Sequence, residues 1–245
     1  MLPQTAGYDR TVTLFGPDGR LYQVEYAMET VRRGSIALAI KCRDGVVLAA
    51  EEKLRPLQSA TFSQKIFQID THIAATASGY IPDARLHIDN ARWVAQTNRL
   101  LYDEPVEIST VTKSIADLCQ QFTQYGGVRP FGVAIIIAGV DSNGPAVYQV
   151  EPSGTYASYD AVSIGGGSDQ VMEFLEKNYR PDMTLEQAKV LAVQCIYLVS
   201  EDKVGIKHIR LAYISSKDRA FKMAEEEEVK RVAEEAKKAL SSPKG

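Results

Sequence analysis

The chain has 245 residues, 45% of them hydrophobic and 24% charged, with a formal net charge of −3. That length admits one large domain or two small ones with a sizeable core, and the charge balance lacks the basic excess of a general nucleic-acid binder. No apolar run reaches the roughly 18 residues of a membrane span, and residues 1–5 lack the basic and apolar regions of a secretion signal. A cytoplasmic protein that binds neither nucleic acid nor membrane is expected.

Residues 1–19 are rich in turn formers, and Gly16-Pro17-Asp18-Gly19 is a turn by mechanism, since proline pre-sets one dihedral and glycine supplies another. From 20 to 32, Leu21, Val24, Ala27, Met28 and Val31 recur every three or four residues and predict a short helix that Gly34 ends. Strands at 35–40 and 46–50 flank Arg43-Asp44-Gly45, and strands at 65–69 and 72–77 flank Asp70-Thr71; both are hairpin signals. Between the pairs, 54–63 has no period and reads as a loop.

The period then changes. Ala84, Ile88, Ala91 and Ala95 are spaced 4, 3, 4, with Pro82 near the start, where a missing N–H is harmless. Val111, Ile115, Leu118 and Phe122 repeat that spacing behind Ser109, a candidate N-cap. Strands follow at 133–138, 146–150, 155–158 and 161–164. Helices are predicted at 169–178 and from Thr184, where Gln187 completes a capping box and Ala188, Leu191, Cys195 and Leu198 carry the apolar face. A last strand covers 209–214. At 225–240 Val229, Val232, Ala233, Ala236 and Leu240 form a helical stripe, with Glu226–Lys230, Glu227–Arg231 and Glu234–Lys238 as candidate i,i+4 pairs.

Strands, a helix pair, strands and another helix pair fit an α+β fold in which two antiparallel sheets pack face to face and each outer face takes a helical layer. The expected fold class is therefore a four-layer αββα sandwich, divided as a 1–19 segment, a 20–34 helix, a 35–220 sandwich and a 221–245 charged helix with its tail. Cys42, Cys119 and Cys195 form no CxxC pair and read as reduced core thiols. His72, His87 and His208 lack metal-ligand spacing, so neither a metal nor a cofactor is expected.

Two motifs carry a resemblance. Tyr8-Asp9-Arg10 followed by Pro17-Asp18-Gly19-Arg20-Leu21-Tyr22-Gln23-Val24-Glu25-Tyr26-Ala27 resembles the N-terminal signature of proteasome core-particle α-type subunits, archaeal-like in character. Tyr125-Gly126-Gly127-Val128-Arg129-Pro130-Phe131-Gly132 resembles the segment that leads into that family's second set of strands. The resemblance implies the N-terminal nucleophile hydrolase fold in a non-catalytic member of a threonine-type endopeptidase complex. It further implies a seven-membered ring of α subunits stacked on β subunits, with a gated axial pore. Unfolded protein substrates would pass that pore during ATP-dependent or ubiquitin-type degradation. Tyr8, Asp9, Pro17 and Tyr26 match the family's gate cluster. Lys65 and Gly79, with Glu25, match the pocket that receives the C-termini of activators or regulatory ATPases; a lysine suits capture of a chain-end carboxylate. Met28 departs from the pattern, standing where archaeal relatives are often basic.

An alternative is a self-processing peptidase. Gly34-Ser35 resembles the junction at which catalytic β subunits cleave themselves, and Glu51, Lys65 and Asp202 align with the β-type acid, lysine and aspartate. Against it stand the retained α signature before Gly34, a serine in place of threonine, and Gly205 where β subunits carry a supporting serine. Gly165-Gly166-Gly167-Ser168 fits neither phosphate-loop fingerprint and reads as a tight strand-to-helix turn.

Overall fold

The computed structural model describes residues 10–54, 57–58, 65–200, 208–240 and the backbone of 241. Helix α1 (Tyr22–Arg32) precedes the hairpins β1 (Ala37–Cys42)–β2 (Gly45–Glu51) and β3 (Ile66–Asp70)–β4 (Ile73–Gly79). Next come α2 (Ile81–Tyr102) and α3 (Ile108–Gln121), then β5 (Val133–Asp141), β6 (Gly144–Val150), β7 (Tyr156–Tyr159) and β8 (Ala161–Ile164). The chain closes with α4 (Ser168–Asn178), α5 (Leu185–Val199), β9 (Ile209–Ser215), β10 (Phe221–Met223) and α6 (Glu226–Ser241).

Two five-stranded antiparallel sheets result, in the orders β10-β9-β2-β1-β8 and β3-β4-β5-β6-β7. Their central strands are buried on both faces: β2 and β5 have no exposed position, as near-continuous runs such as Val133–Asp141 require. Between the sheets Ala39, Leu48, Ile136, Ala138, Val162 and Ile214 form one apolar layer. Outside the first sheet, Leu38, Ile40, Val47 and Leu211 meet α4, α5 and α6 through Leu175, Ala192, Ile196 and Val232. Outside the second, Ala75, Ile135 and Ile137 meet α2 and α3 through Ile88, Ala91, Val111 and Ile115. The four-layer αββα sandwich is therefore present, with α1 laid across one end against β4 and β5. Each fully buried isoleucine or leucine in these layers contributes roughly 1.5–3 kcal/mol.

Local signals that held have clear causes. Thr184 Oγ1 accepts from the Gln187 N–H while Gln187 returns the bond to the Thr184 N–H, a complete capping box. Pro82 stands in the first turn of α2. Gly167 caps α4 with φ +78°, and a Cβ there would meet Val199 at 2.7 Å, so the glycine run is a tight turn into a helix. Cys42, Cys119 and Cys195 are free and buried. Among the described residues no group of His, Cys, Asp and Glu is arranged to hold a metal ion, and no helix is long and apolar enough to cross a membrane.

Four expectations need correction. Ser109 is not the N-cap of α3; Glu107 takes that position, and the free N–H of Ile108 is satisfied by the Asp141 carboxylate at 3.1 Å, from the end of β5. Leu198 and Leu240 lie at the ends of α5 and α6 and are exposed, because the layers they were assigned to stop short of them. Arg231 pairs with Glu186 of α5 at 2.6 Å and with Glu235, not with Glu227. Strand β10 was not anticipated; three residues, mostly exposed, carry no readable period. The Glu226–Lys230 pair does form, at 2.9 Å.

Candidate docking pocket and N-terminal turn

At the end of the sandwich where α1 lies, the ends of several elements leave an open cavity of about 1200 Å³. Its wall combines the exit of α1 (Arg32, Arg33, Gly34), the start of β1 (Ser35, Ile36) and the end of β2 (Glu51, Glu52, Lys53) with Lys65, Gly166 and Leu198. The exposed Arg32, Arg33 and Lys53, with the buried Glu51, Glu52 and Lys65, make it a polar site rather than a hydrophobic pocket.

Lys65, just before β3, is 5% exposed. Its Nζ donates to the Ser35 carbonyl at 3.1 Å. That carbonyl also accepts from Ser78 Oγ at 2.9 Å, and Ser35 Oγ in turn donates to the Glu51 carbonyl at 2.7 Å. Burial pushes the Lys65 ammonium down to about 8, with the Glu52 and Glu51 carboxylates opposing that fall in part. Glu52 is itself committed to Arg210, Nε to Oε2 at 2.7 Å. The arrangement offers a buried positive charge, which bulk water screens less than it screens a surface lysine.

The glycines here are dictated by close backbone approach. A Cβ on Gly34 would meet Ser78 Oγ at 2.3 Å and the Gly79 nitrogen at 2.4 Å. Gly79 has φ +115°, and a Cβ there would meet the Gly132 carbonyl at 2.3 Å. Gly34 thus lets the α1–β1 junction press onto the end of β4, while Gly79 lets β4 lie close against Gly132 before β5; Gly79 is not itself part of the cavity lining. Gly132 ends the second motif, and Asp83 anchors it: the carboxylate takes a two-point fork from Arg129 at 2.7 and 2.9 Å and the Gly132 N–H at 2.9 Å. Burial would raise Asp83, but the Arg129 fork and the Gly132 N–H outweigh it and hold the carboxyl below the usual range.

Of the gate residues, Tyr8 and Asp9 lie outside the described residues, as do Asp202 and Gly205. Pro17 is exposed in the expected turn, which is closed by Gly19 N–H to the Gly16 carbonyl at 2.9 Å and Gly16 N–H to the Arg20 carbonyl at 2.8 Å. Tyr26 is half exposed on α1 and lines a second, smaller cavity of about 360 Å³ with Tyr80 and Arg129. Glu25, in the first turn of α1, is held by Arg20. Met28 is half-buried on the same helix. Lys65 and Gly79 thus lie close together, whereas Pro17, Glu25 and Tyr26 belong to the turn and helix that lead to Gly34. Two features escaped the sequence reading: the double use of the Ser35 carbonyl, which has no local signature, and the Arg20–Glu25 pair. The latter has spacing five, outside the helical i,i+3 and i,i+4 rule, because Arg20 precedes the helix.

One further surface stands out. On α2 the small residues Ala84, Ala91 and Ala95 face the core, while Leu86, Trp93 and Leu100, seven residues apart, are exposed by 60%, 67% and 85%. Each about two helical turns from the next, these three side chains line one solvent-facing side of α2.

Comparison with known proteins gives a consistent result. Residues 31–214 match the family described as "Proteasome subunit", and residues 8–29 match the N-terminal signature of its A-type members. Among curated relatives named as proteasome alpha subunits, that of Archaeoglobus fulgidus is 48% identical over 96% of this chain and 95% of its own length. Those of Thermococcus sibiricus and Methanocaldococcus jannaschii are 48% and 46% identical, over 98% and 96% of this chain and 92% and 89% of theirs.

Proposed function

The chain belongs to the proteasome subunit family and carries the α-type N-terminal signature, and from that membership we propose that it is a non-catalytic ring subunit that gates an axial pore and docks partner chain ends. The observation that carries the docking role is the buried Lys65 ammonium in the wall of the large cavity, held in place by the Ser35 carbonyl. A peptide C-terminus entering there brings the carboxylate that such a charge favours. Tyr8, Asp9, Pro17 and Tyr26 form the gate that unfolded chains pass, and α2 supplies apolar surface for assembly with other proteasome subunits in a cytoplasmic, seven-membered ring. ATP-dependent or ubiquitin-type degradation is the work of the whole complex, to which this chain contributes access rather than bond cleavage.

The geometry around Ser35 supports the non-catalytic reading over the self-processing one. A nucleophile of that type uses its own free α-amine as base. Here the Ser35 hydroxyl proton is committed to the Glu51 carbonyl, and Lys65 Nζ donates to the Ser35 carbonyl rather than meeting that hydroxyl.

The test uses particles assembled with their β subunits. Lys65→Ala is expected to leave rings intact by native mass spectrometry. It should weaken stimulation of peptide hydrolysis by a synthetic peptide ending in a hydrophobic residue, tyrosine and one further residue. Loss of one partner of a buried, hydrogen-bonded charge pair costs at least about 2 kcal/mol, so the half-maximal peptide concentration should rise at least about thirtyfold. Amidating the peptide's carboxylate should reproduce the loss on the wild type. Unchanged stimulation by either change would overturn the docking role. Deleting residues 1–9 should raise basal hydrolysis of long unfolded substrates, and no rise would count against the gate.

A further inference from the structure

The N-terminal turn is fastened to α1 by side chains outside the gate cluster, among them Glu25, which the resemblance also assigns to the docking set. Helix α1 begins at Tyr22 without a side-chain cap: Leu21 holds the N-cap position and offers no polar group. Two other contacts orient the turn. Arg20 Nε and Nη2 donate to the two oxygens of Glu25 at 2.5 and 2.6 Å, a fork that spans the helix start. Tyr22 donates its hydroxyl to Asp18 Oδ2 at 2.7 Å, while Asp18 Oδ1 accepts the Arg20 N–H at 3.3 Å. Gly16 seats against the Tyr22 ring, where a Cβ would come within 2.7 Å. The Arg20 guanidinium also lies 5.8 Å from the centre of that ring.

These contacts differ in depth. Tyr22 is buried, whereas the Arg20 and Glu25 side chains are 57% and 39% exposed. The fork is therefore the part that solvent, salt or another protein reaches. An exposed pair of this kind is weak on its own. Its consequence here comes from position, since it joins the residue after the Pro17 turn to a residue one full turn into the helix. A carboxylate in the first turn of a helix is also favoured by the N-terminal dipole, so Glu25 has a fixed place from which to hold Arg20.

We propose that Arg20 is a positioning residue: its fork on Glu25 latches the Pro17 turn to α1, and opening the fork frees the turn. The latch rests on the gate reading given above. It works through Glu25 and the turn, not through contact with a passing chain. It also makes Glu25 an occupied group, so a docking partner that uses this carboxylate must displace Arg20 to do so.

The experiment compares assembled particles carrying Arg20→Gln, Glu25→Gln, both together, Tyr22→Phe, and deletion of residues 1–9. Readouts are basal hydrolysis of a long unstructured peptide and amide hydrogen exchange at Gly16 and Gly19. Either single change at the fork should raise basal hydrolysis about two- to fivefold, the population shift that an exposed ion pair supports. The double variant should match the singles, because both remove the same interaction. Exchange at the two glycines should quicken in parallel, and Tyr22→Phe, which loses the Asp18 bond while the fork persists, should quicken it as well. If the deletion opens the pore while the fork variants keep wild-type rates and exchange, the latch is wrong and the gate stands. If the two fork changes multiply, Arg20 and Glu25 act apart, and the latch is again wrong. If the deletion leaves hydrolysis unchanged, the gate reading falls and takes the latch with it. Failure of both fork variants to assemble would make Arg20 a purely structural residue and overturn the proposal.

Discussion

Lys65 and Lys189 are both lysines with buried side chains, and the protein treats them in opposite ways. Lys189 Nζ meets Glu186 at 2.7 Å and Glu228 at 2.6 Å, and lies 3.6 Å from the centre of the Tyr213 ring. Burial alone would lower its pKa, but the two carboxylates outweigh that and leave it above the ordinary lysine value. At Lys65 burial wins over Glu52 and Glu51, and the ammonium falls to about 8. One lysine is fully compensated and ties α5 to α6. The other is compensated short of its burial, an arrangement that costs stability and gains from a carboxylate brought by another chain. Lys189 is thus a lysine whose two carboxylates outweigh its burial, and Lys65 one whose burial outweighs its carboxylates.

Three experiments sharpen or break that contrast. The largest expected effect is on Lys189→Ala, which removes the link between the α5 and α6 carboxylates. Because Glu186 and Glu228 keep partial access to water, the loss should be about 2–3 kcal/mol in denaturant unfolding, somewhat below the usual cost of breaking a buried pair. A change under about 0.5 kcal/mol would make the two lysines equivalent. Next, Lys65→Met should raise stability at pH 7 by about 1–2 kcal/mol while abolishing carboxylate docking. The sign follows from linkage: a lysine that releases its proton near pH 8 when folded and near 10.5 when unfolded makes the wild type gain stability across that interval. Lys65→Met should lack this gain when urea unfolding is compared at pH 7 and pH 10. Least in size, peptide docking should be constant from pH 6 to 7.5 and weaken as pH rises past about 8, as the ammonium is lost. A pH-independent affinity up to pH 9.5 would show that Lys65 is not the anion's partner.

Much of the fold was legible because its layers repeat a simple period. The alternation of strands and helix pairs placed every long element, and Thr184 with Gln187 announced α5 through a purely local bond. What escaped depends on residues distant in sequence. The Ile108 N–H is satisfied by Asp141, 33 positions later, so Ser109 looked like the cap when the true partner lay at the end of a strand. Leu198 and Leu240 continue their helical stripes to the ends of α5 and α6, where both side chains are exposed. The site was legible through its signature and only partly through chemistry. A lysine before a strand is ordinarily solvated; its burial behind the Ser35 carbonyl follows from the Gly34–Gly79 contact, which no local pattern encodes.

The three cysteines of the core have a practical consequence for labelling. Burial raises the Cys42 thiol and pushes those of Cys119 and Cys195 up to about 12, so all three are thiols rather than thiolates at neutral pH and react poorly with maleimides or oxidants. A single cysteine introduced on an exposed position away from the α2 stripe, such as Ser142 in the β5–β6 turn, would then carry the dye while the native thiols stayed silent. The chain is thus already suited to distance measurements between subunits by fluorescence, with no cysteine needing to be removed from a close-packed core first.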